Sequence, residues 1–75
     1  MKIELPTADQ LADFVRIERK RQKVSQLRLS QLANVGVRFV RDLEDGKKTL
    51  QFDKLRSVLE TLGIAIELAT MDERW

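Results

Sequence analysis

Residues 25–46, SQLRLSQLANVGVRFVRDLEDG, contain two short helical patterns joined by a tight turn. Ser25 carries a side-chain oxygen that can accept from a free amide at a helix start. Leu29, Leu32 and Ala33 then recur at the spacing of one helix face. Asn34 tolerates left-handed backbone geometry, and Gly36 is an acceptable though second-rank N-cap for the next helix. That helix turns Val40 and Leu43 inward, and Gly46 ends it at the residue just past its last turn. A short turn of this kind sets two helices at roughly 90–120° to one another.

Upstream, Thr7 followed by Gln10 forms a capping box, so a helix begins at Ala8 and runs to about Gln22. Leu11, Val15 and the stems of Glu18 or Arg19 mark its inner face; Phe14 and Ile17 lie off that stripe and need cover from elsewhere. Downstream, Lys47-Lys48-Thr49 is a polar connection. A fourth helix from about Phe52 to Leu62 shows Leu55, Val58, Leu59 and Leu62 at amphipathic spacing, and Gly63 closes it. Ile64, Ile66 and Leu68 then alternate with Ala65, Glu67 and Ala69, which is a period-two strand pattern over 64–69. A lone strand in a helical chain must find an edge. Residues Met1–Leu5 offer one, and the same strand of a second copy, antiparallel across a two-fold axis, offers another. The expected fold is therefore mainly α: one domain over residues 1–75, with four helices, a C-terminal β-strand paired across a dimer, and a tail at 70–75.

Composition narrows the function. Seventy-five residues make one small domain, burying only ~60% of the surface exposed when unfolded. Such domains often draw stability from a second copy. There are no cysteines and no histidines, which removes disulfides, thiolate metal sites and the commonest general base. No nucleophile elbow, phosphate-cradling glycine loop or carboxylate cluster is present, so an enzyme is not expected, nor a cofactor or small-molecule substrate. Asp42, Glu44 and Asp45, spread around a helix end, read as solvated acids and not as a metal cluster. No apolar run approaches the ~20 residues of a membrane span, and no signal-peptide apolar region opens the sequence; a cytoplasmic protein is expected. The net charge of +2 conceals an uneven distribution: 16–28 carries six Lys/Arg against one Glu, and 60–75 one Arg against four acids. A basic half and an acidic tail suggest two different partners.

The 25–46 segment resembles the helix-turn-helix of the lambda-repressor/Cro-type (XRE) family. In that register Leu29 is the inner-face leucine, Ser30 the small residue where two helices approach, Ala33 precedes the turn, Asn34 stands where glycine is usual, and Val35 plugs the core. Val40, Leu43, Glu44 and Gly46 fall on the apolar, apolar, acidic and terminating positions. Reading Gly36-Val37 as the turn instead brings Gly46 two residues too early. The resemblance implies double-stranded DNA as a partner, with the second helix of the motif in the major groove. Its groove-facing residues are then Gly36, Val37, Arg38, Arg41 and Asp42. Arg38 and Arg41 are the leading base readers, because a guanidinium engages guanine O6 and N7 bidentately. Asp42 accepts from cytosine N4 or orients a neighbouring arginine, and Val37 reaches a thymine methyl. Gln26 is expected to meet a phosphate through its side chain or its amide, and Lys47 and Lys48 to meet others. The family pattern further implies an ion pair between Arg19 and Glu44 that ties the first helix to the third. Phe39 is open to two readings, packing against the connection to the fourth helix, which is favoured, or stacking on a DNA sugar.

Over nearly the whole chain the sequence is also similar to HipB-type antitoxins, through Pro6-Thr7 and Leu11-Ala12 at the first helix, the short fourth helix, the strand at Ile64–Leu68, and the charged end Asp72-Glu73-Arg74-Trp75. This similarity implies a homodimer paired through Ile64, Ile66 and Leu68, a palindromic operator, and a HipA-like Ser/Thr kinase toxin as a second partner. Trp75 then either docks on that partner or folds back onto Phe14 or Ile17. Two classes of function stay open: a transcriptional repressor (antitoxin, stand-alone regulator or restriction-modification controller), and an interaction module that masks a partner protein. The arginines of the third helix favour the first.

Overall fold

The computed structural model describes residues 6–66. Four helices follow in order: α1 Ala8–Arg21, α2 Gln26–Ala33, α3 Val37–Glu44 and α4 Phe52–Leu62. α2 packs against both α3 and α4, and α1 closes over α3 and α4 from the other side. Every helix contributes to one core: Val15 from α1, Leu29 and Ala33 from α2, Val40 and Leu43 from α3, and Val58, Leu59 and Leu62 from α4. Val24, Val35, Phe39, Leu50, Leu55 and Ile64 seal its margins. Each large side chain buried here contributes ~1.5–3 kcal/mol of transfer free energy, which is what makes helices this short persist.

The helix starts follow the sequence reading. Gln10 N donates to Thr7 Oγ1 at 3.1 Å while Thr7 N donates to Gln10 Oε1 at 2.9 Å, completing the capping box. Arg28 N donates to Ser25 Oγ at 3.0 Å. Gly36 precedes α3 in extended geometry without any side-chain cap.

All four helices end by one device. A residue at the helix end adopts the left-handed region, and the following amide reaches back to a carbonyl five residues earlier. Those amides are Val24 N to Arg19 O (3.1 Å), Val35 N to Ser30 O (3.0 Å), Lys47 N to Asp42 O (3.0 Å) and Ile64 N to Leu59 O (2.9 Å). The left-handed residues are Lys23, Asn34, Gly46 and Gly63. Asn34, Gly46 and Gly63 are legible as terminators; Lys23 is not, since a long cationic side chain carries no local signal for positive φ.

One reading needs correction. Leu32 does not face the core: it is 51% exposed, and Ser30 is buried in its place, its hydroxyl donating to Leu27 O. The first helix ends at Arg21, with Gln22 as its cap. Phe14 and Ile17 find no cover among the described residues and remain more than half exposed. Residues 64–66 form no strand, and the rest of the expected strand (Leu68 included), the tail with Trp75, and Met1–Leu5 lie outside the described residues.

Candidate nucleic-acid interface

α3 owes its orientation to a buried polar junction. Arg19 Nε donates to Glu44 Oε2 at 2.6 Å and Arg19 Nη2 to Glu44 Oε1 at 2.9 Å, a bidentate fork between α1 and α3. The side chains are 11% and 3% exposed. Arg19 Nη1 donates to Val24 O at 2.9 Å, so the guanidinium also staples the end of its own helix. Hydrogen bonding to Glu44 raises the Arg19 pKa above its already high ordinary value, against the opposing effect of burial. The guanidinium is a permanent charge. Gln26 Nε2 adds a third donor to Glu44 Oε1 at 3.2 Å, and Arg16 Nη1 reaches the Glu44 carbonyl at 3.4 Å. The carboxylate thus joins α1, α2 and α3, and no side-chain polar atom buried among the described residues is left without a partner.

With Val40, Leu43 and Glu44 buried, α3 turns Arg38 and Arg41 to solvent. Neither arginine makes an ion pair among the described residues. Val37 is half-buried at the edge of the same surface. Gly36 is exposed, and a Cβ there would meet nothing within 4 Å, so the protein interior does not require glycine at this position. The α3 start therefore offers an open approach, with the amides of Val37 and Arg38 free of intrahelical partners.

Four residues expected to contact phosphates or bases are placed differently from one another. Lys48 is exposed. Lys47 and Asp42 are paired, Nζ to Oδ2 at 3.6 Å, so the acid pairs with a lysine and does not orient a neighbouring arginine. The Gln26 side-chain amide is committed to Glu44, which leaves its backbone N–H, at the first position of α2, as the group available to an anion. Neither the Gln26–Glu44 bond nor the Asp42–Lys47 pair is legible in the sequence; the second has a weak signal, an acid five residues before a lysine across a terminating glycine. Phe39 is half-buried against the core.

No family model matches the chain. It is 42% identical over 74 residues to the uncharacterized HTH-type transcriptional regulator y4mF of Sinorhizobium fredii, a match covering 99% of this chain and 97% of that protein. The chain belongs to the HTH-type transcriptional regulators. Among solved structures, this regulator superposes on HipB in a HipB-O4 20mer complex with a TM-score of 0.79 at 14% identity, covering 92% of this chain and 97% of that one. A chain of a HipA-HipB-O2-O3 complex gives a TM-score of 0.80 at 14% identity, covering 95% and 100%. The regulator has the fold of HipB, and the XRE-type architecture implied by residues 25–46 is the one observed. No helix of the described residues is long and apolar enough to cross a membrane.

Proposed function

We propose that this regulator is a sequence-specific transcriptional repressor that binds a palindromic operator as a homodimer, reading base edges with Arg38 and Arg41. The observation that carries this reading is the pair of exposed arginines, without an ion-pair partner among the described residues, on the side of α3 opposite Val40, Leu43 and Glu44. A guanidinium held in the major groove matches guanine bidentately. Gly36 and Val37 line the same approach, the Gln26 amide sits at an α2 start suited to a phosphate, and Lys47 and Lys48 stand at the exit of α3. Ile64, Ile66 and Leu68 join the two copies in this reading, setting half-sites about one helical turn, ~34 Å, apart.

The regulator is further proposed to be the cytoplasmic antitoxin and autoregulator of a HipA-type kinase operon. The support is its fold match, over nearly its full length, to a chain from a HipA-HipB-O2-O3 complex. In this reading Trp75 anchors the kinase, since tryptophan is enriched among residues that dominate interfaces.

The test is binding to a duplex selected by the protein from a randomised DNA pool. Arg38→Ala or Arg41→Ala should each cost about 1–3 kcal/mol on that duplex and relax preference at one base pair. If both variants bind selected and scrambled duplexes as the wild type does, the groove assignment is wrong and a partner-masking module takes its place. Trp75→Ala, titrated against a HipA-type kinase encoded in the same operon, should weaken that complex at least ~tenfold without changing the melting temperature. A lowered melting temperature with normal kinase affinity would place Trp75 on its own domain instead.

A further inference from the structure

We propose that Asp42 and Lys47 act as one specificity unit, in which Lys47 is the counter-ion that lets an acid stand on the DNA-facing side of α3 and Asp42 selects a base bearing an exocyclic amine. The inference rests on the groove assignment above and adds to it what the acid does there.

A carboxylate is a poor choice for a surface that approaches a polyanion. DNA presents one negative charge per ~1.7 Å of helix axis, and a contact inside the ~8 Å Debye length is little screened. Left alone, Asp42 would weaken binding to every sequence alike. The fold supplies a remedy. Gly46, with φ of 85°, turns the chain back at the end of α3, and Lys47 N bonds to Asp42 O at 3.0 Å. That backbone bond fixes Lys47 over the acid, and its Nζ lies 3.6 Å from Oδ2. The two arginines flanking Asp42 on α3, Arg38 one turn earlier and Arg41 beside it, make no ion pair with it; Lys47 does.

The pair stays in contact with solvent, the side chains of Lys47 and Asp42 being 51% and 31% exposed. Asp42 therefore keeps acceptor capacity facing outward while its charge is offset. An ionised carboxylate only accepts hydrogen bonds. In the major groove it can satisfy the N4 amine of cytosine or the N6 amine of adenine, whereas thymine O4 and guanine O6 and N7 set acceptor against acceptor. Asp42 thus rejects as well as selects, and rejection is an effective source of specificity.

A double-mutant cycle tests this. Wild type, Asp42→Asn, Lys47→Ala and the double variant are titrated on the selected duplex, on single-base permutations of it, and on a mixed-sequence duplex. Lys47→Ala is expected to lower affinity at least ~tenfold in the wild-type background and ~threefold or less in the Asp42→Asn background, because only the first leaves an uncompensated acid beside the phosphates. Asp42→Asn alone is expected to raise affinity for the mixed-sequence duplex and to narrow the gap between selected and permuted sites. Lys47→Gln, which keeps length and removes charge, should behave as Lys47→Ala does. Equal losses in both backgrounds would make Lys47 an independent phosphate contact and overturn the pairing. Unchanged base preference in Asp42→Asn would remove Asp42 as a selector. Arg38→Ala, measured alongside, separates the two levels: a loss there with an additive cycle rejects only the pair, and no loss there rejects the groove assignment itself.

Discussion

Arg19 and Glu44, twenty-five positions apart, meet through two hydrogen bonds of 2.6 and 2.9 Å and hold α3 at a fixed angle to α1. The pair is buried more deeply on the acid's side, with side-chain exposures of 11% and 3%. Removing one partner strands the other in a poorly solvated site. Arg19→Ala should destabilise the domain by ~3–5 kcal/mol, and Glu44→Ala by less, since the freed guanidinium keeps Val24 O and some contact with water. Replacing both, with Arg19→Met and Glu44→Leu, should restore much of the stability, as apolar packing often substitutes for a buried ion pair. It should not restore DNA affinity, because packing fixes the interhelix angle less sharply than a bidentate fork. Chemical denaturation beside DNA titration checks both halves; a double variant that binds DNA normally would show that the pair does not position α3.

The left-handed residue that ends α1 is Lys23, with φ of 59°. A residue with a Cβ is strained there by ~1–2 kcal/mol, part of which glycine recovers after its larger unfolded-state entropy is counted. Lys23→Gly should therefore raise stability by ~0.5–1 kcal/mol. Asn34→Gly, at φ of 57°, should gain less, since asparagine already tolerates this region. A destabilised Lys23→Gly protein, measured by thermal melts, would mean that the α1 end is not held in this geometry.

Glu18 accepts from Arg21 and from Gln22 Nε2, the latter at 3.0 Å. Arg21 first, and then Gln22, lower its pKa from 4.5 to about 2. A depressed folded-state value stabilises the fold above the ordinary carboxylate range and loses that contribution as pH falls toward about 2. The site is open to solvent, so the effect on stability is small and the titration itself is the observable. Carboxyl NMR should show Glu18 ionised well below the usual carboxylate range, and Arg21→Ala should return it most of the way to 4.5. A normal Glu18 titration in the wild type would mean the surface pairing does not persist in solution.

Ile66, 44% exposed, lines an apolar groove together with Phe52, Leu55, Leu59 and Ile64. In the proposed dimer it is covered by the second copy. Ile66→Asp should leave the four-helix core intact and yield a monomer with much weaker operator binding, because a dimer engages two half-sites at once. Sedimentation at micromolar concentration decides it: an undiminished dimer would move the interface elsewhere.

The helices, three of the four left-handed terminators and most of the core are legible in the sequence. Each depends on interactions within a few residues: Thr7 with Gln10, Ser25 with Arg28, the recurrence of Leu55, Val58, Leu59 and Leu62. Capping and amphipathic spacing are local physics, and one copy of the chain carries the whole signal. The Arg19–Glu44 pair is foreseeable only through resemblance, since nothing local links positions so far apart. Tertiary structure alone decided the rest. Leu32 has the spacing of a core residue, yet with α4 packed on α2, where Ser57 Oγ donates to Ala33 O at 2.6 Å, Leu32 is left 51% exposed. Gln22 Nε2 meets Leu62 O at 2.8 Å across forty positions, Gln26 turns from the solvent to Glu44, and Asp42 finds Lys47. These contacts depend on how far each helix is rotated about its axis. That rotation is set by packing against several neighbours at once, which no spacing along the chain encodes.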